Sequence, residues 1–344
     1  MSCIFIIKNK YLQGERKMKI KKTLALIMTA ALTVGTMAGC SQATLNYSKE
    51  LSNTAKWEAT TSNIEGTVNV DAQGIKEEVT FTATGYTSKD KAYVDMKFNN
   101  TSGKIKIPEI KEYVDGTTIY INKSYFEGIY TLIGQPVPEG LSKIKEEYIA
   151  IDSSATGMDL NQIKALTTQP DAMVQVGKLV FGDNNDLDLP YIQNGREYTI
   201  NLDADETVDL STKAIKAACN NLYKINSTFL GSKLTTEDII KMKTAVNDAK
   251  FNATLSQVKA ALAGSTITSK EAFTDDSCTS DFNMNLQVKD FGKVSLGMKS
   301  TCTKSDVKAI DLPTSKIKLT AEEYAKLAMP TNTTVAATSN VVAK

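Results

Sequence analysis

Cysteines and carboxylates are the residues of this sequence best equipped for chemistry, because it contains no histidine. Without imidazole there is no Ser-His-Asp or Cys-His arrangement and no histidine-rich metal site. The commonest general base is missing as well, and no P-loop or GxGxxG stretch occurs. Lysine, carboxylate and tyrosine chemistry remain. The expectation is a protein that is not an enzyme, with no catalytic residue, metal or cofactor. The run Asp183-Asn-Asn-Asp-Leu-Asp188 is rich in oxygen ligands. However, Leu187 stands where a calcium loop needs an oxygen and no glycine follows, so the run reads as a solvated loop.

There are five cysteines. Cys219 falls on an apolar helical stripe and reads as a small buried hydrophobe. Cys278 and Cys302 lie on the apolar, even-numbered face of one predicted hairpin, where two registers are open. If Leu286 pairs with Val294, Cys278 stands opposite Cys302 and a disulfide can form. If Lys289 pairs with Lys293, Cys302 faces Ser280 and Cys278 is on the diagonal, about 7–8 Å away and out of reach.

Cys40 has a different context. Residues 23–39, TLALIMTAALTVGTMAG, carry no charge and follow Lys19, Lys21 and Lys22. A basic patch, an apolar run and small residues make up a secretory signal, and the run is short for a membrane span of ~20 residues. The ending TMAGC resembles the lipobox of bacterial lipoproteins, with Met37 in place of the commoner leucine. The resemblance implies cleavage between Gly39 and Cys40, acylation of Cys40, and attachment to the outer face of a bacterial cell membrane. More than one acyl chain gives stable anchoring. Met18 already begins a complete signal peptide, residues 18–39. The preceding Gly14-Glu15-Arg16-Lys17 back-translates to a purine-rich stretch like a ribosome-binding site. Residues 1–17 are therefore expected to be an upstream extension rather than protein.

Removing the seven Lys/Arg and one Glu of residues 1–39 from totals of 40 and 39 leaves 33 basic and 38 acidic residues, a net charge of −5. Nothing here points to nucleic acid, which calls for clustered positive charge. Residues 40–56 are polar and read as the lipidated cysteine and a tether. From 57 to 131, period-two segments at 67–70, 78–84, 92–98, 104–107 and 117–122 are separated by turn residues such as Gly74, Gly103 and Gly116. They predict an antiparallel meander with one apolar and one polar face. Further strands are expected at 148–151 and 197–202, with a short helix at 159–166. Val208, Ile215, Leu222 and Phe229 predict a helix over about 207–230. Thr235 and Asp238 form a capping box for a second helix that closes at Gly264 and breaks near Asn252. Two strands joined by Asp290-Phe-Gly292 follow, then a strand over 304–312, a helical turn at 321–327, and a loose tail, 331–344.

Taken together, the lipobox, the N-terminal meander, the helical pair 207–263 and the closing strands ending Ile310-Asp-Leu-Pro313 resemble the half-barrel lipoproteins of the LolA, LolB and LppX type. The resemblance implies a single α+β domain over 57–330. Its curved antiparallel sheet is a half-barrel, with the helical pair covering the concave face. It also implies capture or transfer of lipid acyl chains. Phe81, Met96, Phe98, Phe282, Met284, Leu296 and Met298 point inward in this reading and are the candidates to line an apolar cleft. The expected partners are the membrane, through Cys40, and a lipid or other apolar small molecule. The alternative is a structural or protein-interaction lipoprotein of the cell envelope, in which these side chains are ordinary core.

Overall fold

The computed structural model describes residues 41–152, 172–182, 187–229 and 234–328. Gly39, Cys40, the expected helix at 159–166, most of the acidic run and the tail lie outside them. The chain is α+β. Twelve strands form one open, curved sheet in the order β12-β6-β5-β4-β3-β2-β1-β11-β10-β9-β8-β7. The strands are β1 (Ala59–Ala72), β2 (Ile75–Ser88), β3 (Lys91–Asn100), β4 (Ile110–Asp115), β5 (Thr118–Asn122) and β6 (Tyr148–Asp152). They continue with β7 (Ile192–Asn194), β8 (Glu197–Asp203), β9 (Thr266–Phe273), β10 (Ser277–Val288), β11 (Gly292–Lys304) and β12 (Lys316–Leu319). All pairings are antiparallel except β12 with β6, which is parallel. A sheet wider than about ten strands curls unless it splits, and the two edge strands here, β12 and β7, do not meet.

Tight turns require the left-handed residues that occupy them: Gln73 and Gly74 between β1 and β2 have φ of 53° and 80°. The alternation in sequence becomes two chemically distinct faces. On the inner face, one register row reads Phe98, Phe81, Gly66, Met298, Phe282 and Ser269 across β3, β2, β1, β11, β10 and β9. The outer face of the same strands carries Lys97, Thr82, Glu65, Lys299 and Asp281. Burying one face and hydrating the other is the arrangement that strict alternation encodes.

Nine helices accompany the sheet among the described residues. They are α1 (Gln42–Thr54), α2 (Lys123–Leu132), α3 (Glu139–Ser142), α4 (Ala172–Phe181), α5 (Ala204–Asn220), α6 (Leu222–Phe229), α7 (Thr236–Asn247), α8 (Ala249–Ala261) and α9 (Ala321–Ala328). They gather at the two flanks of the inner face. At one flank, Phe126, Tyr130 and Leu141 of α2 and α3 bury Ile149 of β6 and Leu319 of β12, with Leu327 of α9 packed beside them. At the other, α5 lays Ala214 on Ile200 of β8, and α5 to α8 close a core around Val208, Ile239 and Val258 against which Leu286 and Val288 of β10 pack.

Several local expectations are corrected. The helix expected over 207–230 is two, α5 and α6, interrupted at Asn221, whose amide donates back to the Ala217 and Ala218 carbonyls. The second break falls at Asp248, in extended conformation, not near Asn252. The Thr235–Asp238 capping box is present, and a second one, Asp203–Glu206, starts α5. Residues 104–107 belong to no strand, because Pro108 next to them has no amide to donate. Residues 305–315 likewise form no strand and lead to β12, with the Ser305 amide donating to the Ala59 carbonyl and the Ser315 carbonyl accepting from the Tyr148 amide. Tyr86 on the outer face holds the start of this strap: its hydroxyl donates to the Asp306 carbonyl at 2.7 Å and accepts from the Lys308 amide at 2.6 Å.

The stretch read as a polar tether is helix α1, docked on the sheet. Its buried stripe is Thr44, Tyr47, Ser48 and Ser52, spaced for one helical face but mostly hydroxyl-bearing. Ser41 caps it, and Asp188 accepts from the Thr44 hydroxyl at 2.9 Å. Arg196 is the only arginine after Arg16. It grips Glu50 of α1 with two hydrogen bonds of 2.8 and 2.7 Å and Asp275 with a third of 2.7 Å. A planar guanidinium matches a carboxylate in this two-point way, which a lysine cannot do.

Candidate functional site

The seven apolar residues singled out from the sequence all lie on the inner face, in the middle of the sheet. Phe98 pairs with Phe81, and Met298 with Phe282, in one row; Leu296 pairs with Met284 in the next; Met96 sits opposite Ala83 on the other side. All seven are half-buried. Phe81 and Phe98 stand 6.3 Å apart, ring centre to ring centre. Phe81 folds across Gly66: a methyl at that glycine would lie 2.2 Å from the ring. Glycine is therefore required there so that the Phe81 ring can reach over β1, and the Gly297 carbonyl oxygen, 2.8 Å from such a methyl, adds to the need.

Beside this shelf of large side chains runs a floor of two rows that are mostly small. Across β2, β1, β11, β10 and β9 the next rows read Ala83, Ile64, Ser300, Ser280, Glu271 and then Gly85, Ser62, Cys302, Cys278, Phe273. A methyl at Gly85 would meet nothing closer than 3.6 Å. Large beside small makes a trough running across the strands. Counted along the curved sheet from β2 to β9, these rows cover four strand spacings, about 19 Å.

One end of the trough is closed by aromatic side chains and one carboxyl. Tyr47 of α1 packs among Tyr191, Tyr198 and Phe273, at 4.6, 5.3 and 5.8 Å between ring centres. Its hydroxyl donates to Glu271 at 2.8 Å. Burial raises the Glu271 carboxyl above its ordinary value, an effect the Tyr47 and Ser269 hydrogen bonds partly oppose. Burial likewise raises the Tyr47 and Tyr191 hydroxyls, so both stay protonated donors. A second inner-face carboxyl, Glu112 on β4, is also raised by burial. Along the sheet it stands six strand spacings from Glu271, and no hydrogen bond links the two among the described residues. Among the described residues, no three Cys, Asp or Glu side chains cluster as a metal would need.

Cys278 and Cys302 share this floor. Leu286 pairs with Val294, the first of the two registers open from the sequence, and Cys278 stands directly opposite Cys302. Both are free thiols. Burial, with Glu271 and Cys302 nearby, pushes the Cys278 thiol up to about 11. Cys219 is buried in the α5–α8 core.

Sequence reasoning found the shelf because large apolar residues alternate visibly. It missed Glu271, Tyr47 and the small-residue floor. Only register across five strands brings those together, and Tyr47 sits in a segment that looks polar. The arrangement can hold an elongated apolar group against the shelf, with hydroxyl and carboxyl groups at one end. No family model matches this chain, and no curated protein was found to match it.

Proposed function

We propose that this chain is a lipid-anchored protein of the outer face of a bacterial membrane that holds an acyl chain or similar apolar ligand in the inner-face trough. The observation that carries this reading is the half-buried shelf: Phe81, Phe98, Met298, Phe282, Met284 and Leu296 are contiguous at the centre, while residues of the same kind at the flanks are sealed. Apolar surface left part-exposed costs about 25 cal/mol for each Å², and its contiguity here supports a surface suited to an apolar ligand. Flexible methionines beside aromatic rings adapt to a chain without fixed shape.

The position of α1 bears on the anchor. Ser41 already caps this docked helix, so an acylated Cys40 leaves no slack between lipid and domain. The α1 end of the trough would then lie close to the membrane. No described helix is long and apolar enough to cross one. The half-barrel, acyl-chain-handling reading rests on the order of elements and on this trough.

The test is native mass spectrometry of residues 41–344, exported without the lipobox, followed by organic extraction. A stoichiometric co-purified lipid or apolar metabolite supports the reading and names the ligand class. A clean apo mass, with no binding of added acyl-chain probes, overturns it and leaves the sheet as a scaffold for a protein partner.

A further inference from the structure

We infer that Cys278 and Cys302 form a redox-active pair that closes to a cross-strand disulfide on the floor of the trough. The two residues are register partners on adjacent strands of one hairpin, and both side chains are half-buried on the same face. The Lys304 amide donates to the Asp276 carbonyl at 2.8 Å. Two residues further along each strand, Cys278 and Cys302 fall on the same phase of the ladder, the hydrogen-bonded pairs. Cα atoms in such a pair are about 5.5 Å apart, within the 4.4–6.8 Å that a disulfide spans. No strand need shift for the bond to form. An extracytoplasmic compartment supplies the setting in which such bonds persist.

The order of attack follows from the surroundings. Cys278 packs against the Tyr47, Tyr198 and Phe273 rings, and its burial holds it as a thiol at neutral pH. Cys302 therefore makes the first move. Its thiolate attacks one sulfur of an external disulfide, that S–S bond breaks, and the departing thiolate takes up a proton. Cys278 then gives up its proton and attacks the Cys302 sulfur, expelling the second external thiol. The chain loses two protons and two electrons, and the external disulfide gains both. The new bond pins β10 to β11 beside α1, where the trough closes. The geometry is independent of any ligand, so its failure and that of the ligand reading are separable.

The full chain carrying Cys219→Ser, exported and purified without reductant, is equilibrated with oxidised glutathione, alkylated under denaturing conditions and digested. The expected result is a peptide pair linking Cys278 to Cys302 that disappears on reduction. Alkylation of both cysteines with no linked peptide would overturn the inference. A second variant keeps the test sharp: Cys278→Ser with Ser280→Cys moves one thiol to the diagonal, about 7–8 Å from Cys302. Linkage should slow at least about tenfold, because that distance exceeds the disulfide span. Equal rates in the two proteins would also overturn it.

Discussion

At the β6 flank of the sheet, Ile149 retains 1% of its surface exposed and Leu141 of the covering helix none. At the centre, Phe81, Met298 and Leu296 point from the same face and stay half-buried. The side chains are of one kind, and what differs is how far they are buried. The flanks have α2, α3 and α9 on one side and α1 and α5 on the other, held by capping boxes, Arg196 and the Tyr47–Glu271 hydrogen bond. The flanks therefore hold the most completely buried side chains, and those at the centre are buried less.

Truncation should separate the two regions most strongly. Leu141→Ala at the flank should cost about 3 kcal/mol, the loss of a fully buried leucine plus its cavity. Leu296→Ala at the centre should cost about 1 kcal/mol, because part of its area is never removed from water. Urea unfolding of both variants checks this, and equal losses would mean that the centre is sealed core. Next in size is Gly66→Ala, which drives a methyl into the Phe81 ring. It should cost about 1–3 kcal/mol by overpacking. Gly85→Phe, by contrast, has room for its first carbon. It should leave the melting temperature nearly unchanged while filling the floor and abolishing retention of a co-purified apolar ligand in the same mass-spectrometric assay.

Smaller again is the clamp on α1. Arg196→Lys keeps the charge and loses the two-point grip on Glu50. About 1 kcal/mol of local stability should go, seen as faster amide exchange over residues 42–54 with the exchange of β1 and β11 unchanged. Exchange that rises uniformly would show α1 to be part of the main cooperative unit.

How much of this was legible beforehand depends on the range of each signal. Strand alternation and helix capping are local, so β1 to β3, the β10–β11 hairpin and the Thr235 cap can be read from a few residues. The two-faced sheet follows from them. The helix breaks at Asn221 and Asp248 cannot be read that way, since the apolar stripe runs on past the first. α1 was hidden because its buried face is built from Thr44, Ser48 and Ser52 around a single tyrosine. Its affinity for the sheet comes from Asp188, Arg196 and Glu271, which are more than a hundred residues away. The shelf was visible in outline, but the trough was not, because a floor of serine, glycine and cysteine has no pattern until five strands are laid side by side.

The smallest effect concerns pH, and it probes the covered end of the trough directly. Glu271 has a folded-state pKa raised above its ordinary value of 4.5 by burial under α1. The folded protein therefore holds this proton after the unfolded chain has released it. Wherever the folded state binds more protons, stability falls as pH rises. Glu271 thus contributes a decline that begins near pH 4.5 and levels off above its folded pKa, and Glu112 adds one of the same sign. Glu271→Gln keeps an acceptor for the Tyr47 hydroxyl and cannot ionise, so the decline above about pH 4.5 should shrink to the Glu112 share. Tyr47→Phe should do the opposite. The hydrogen bond it deletes favours the ionised carboxylate, so the folded pKa rises further and the decline extends to higher pH. Thermal melts of the three proteins across that range decide the matter. Parallel curves would mean that water reaches Glu271 as freely as it reaches an exposed carboxylate, and that α1 does not seal this end of the sheet.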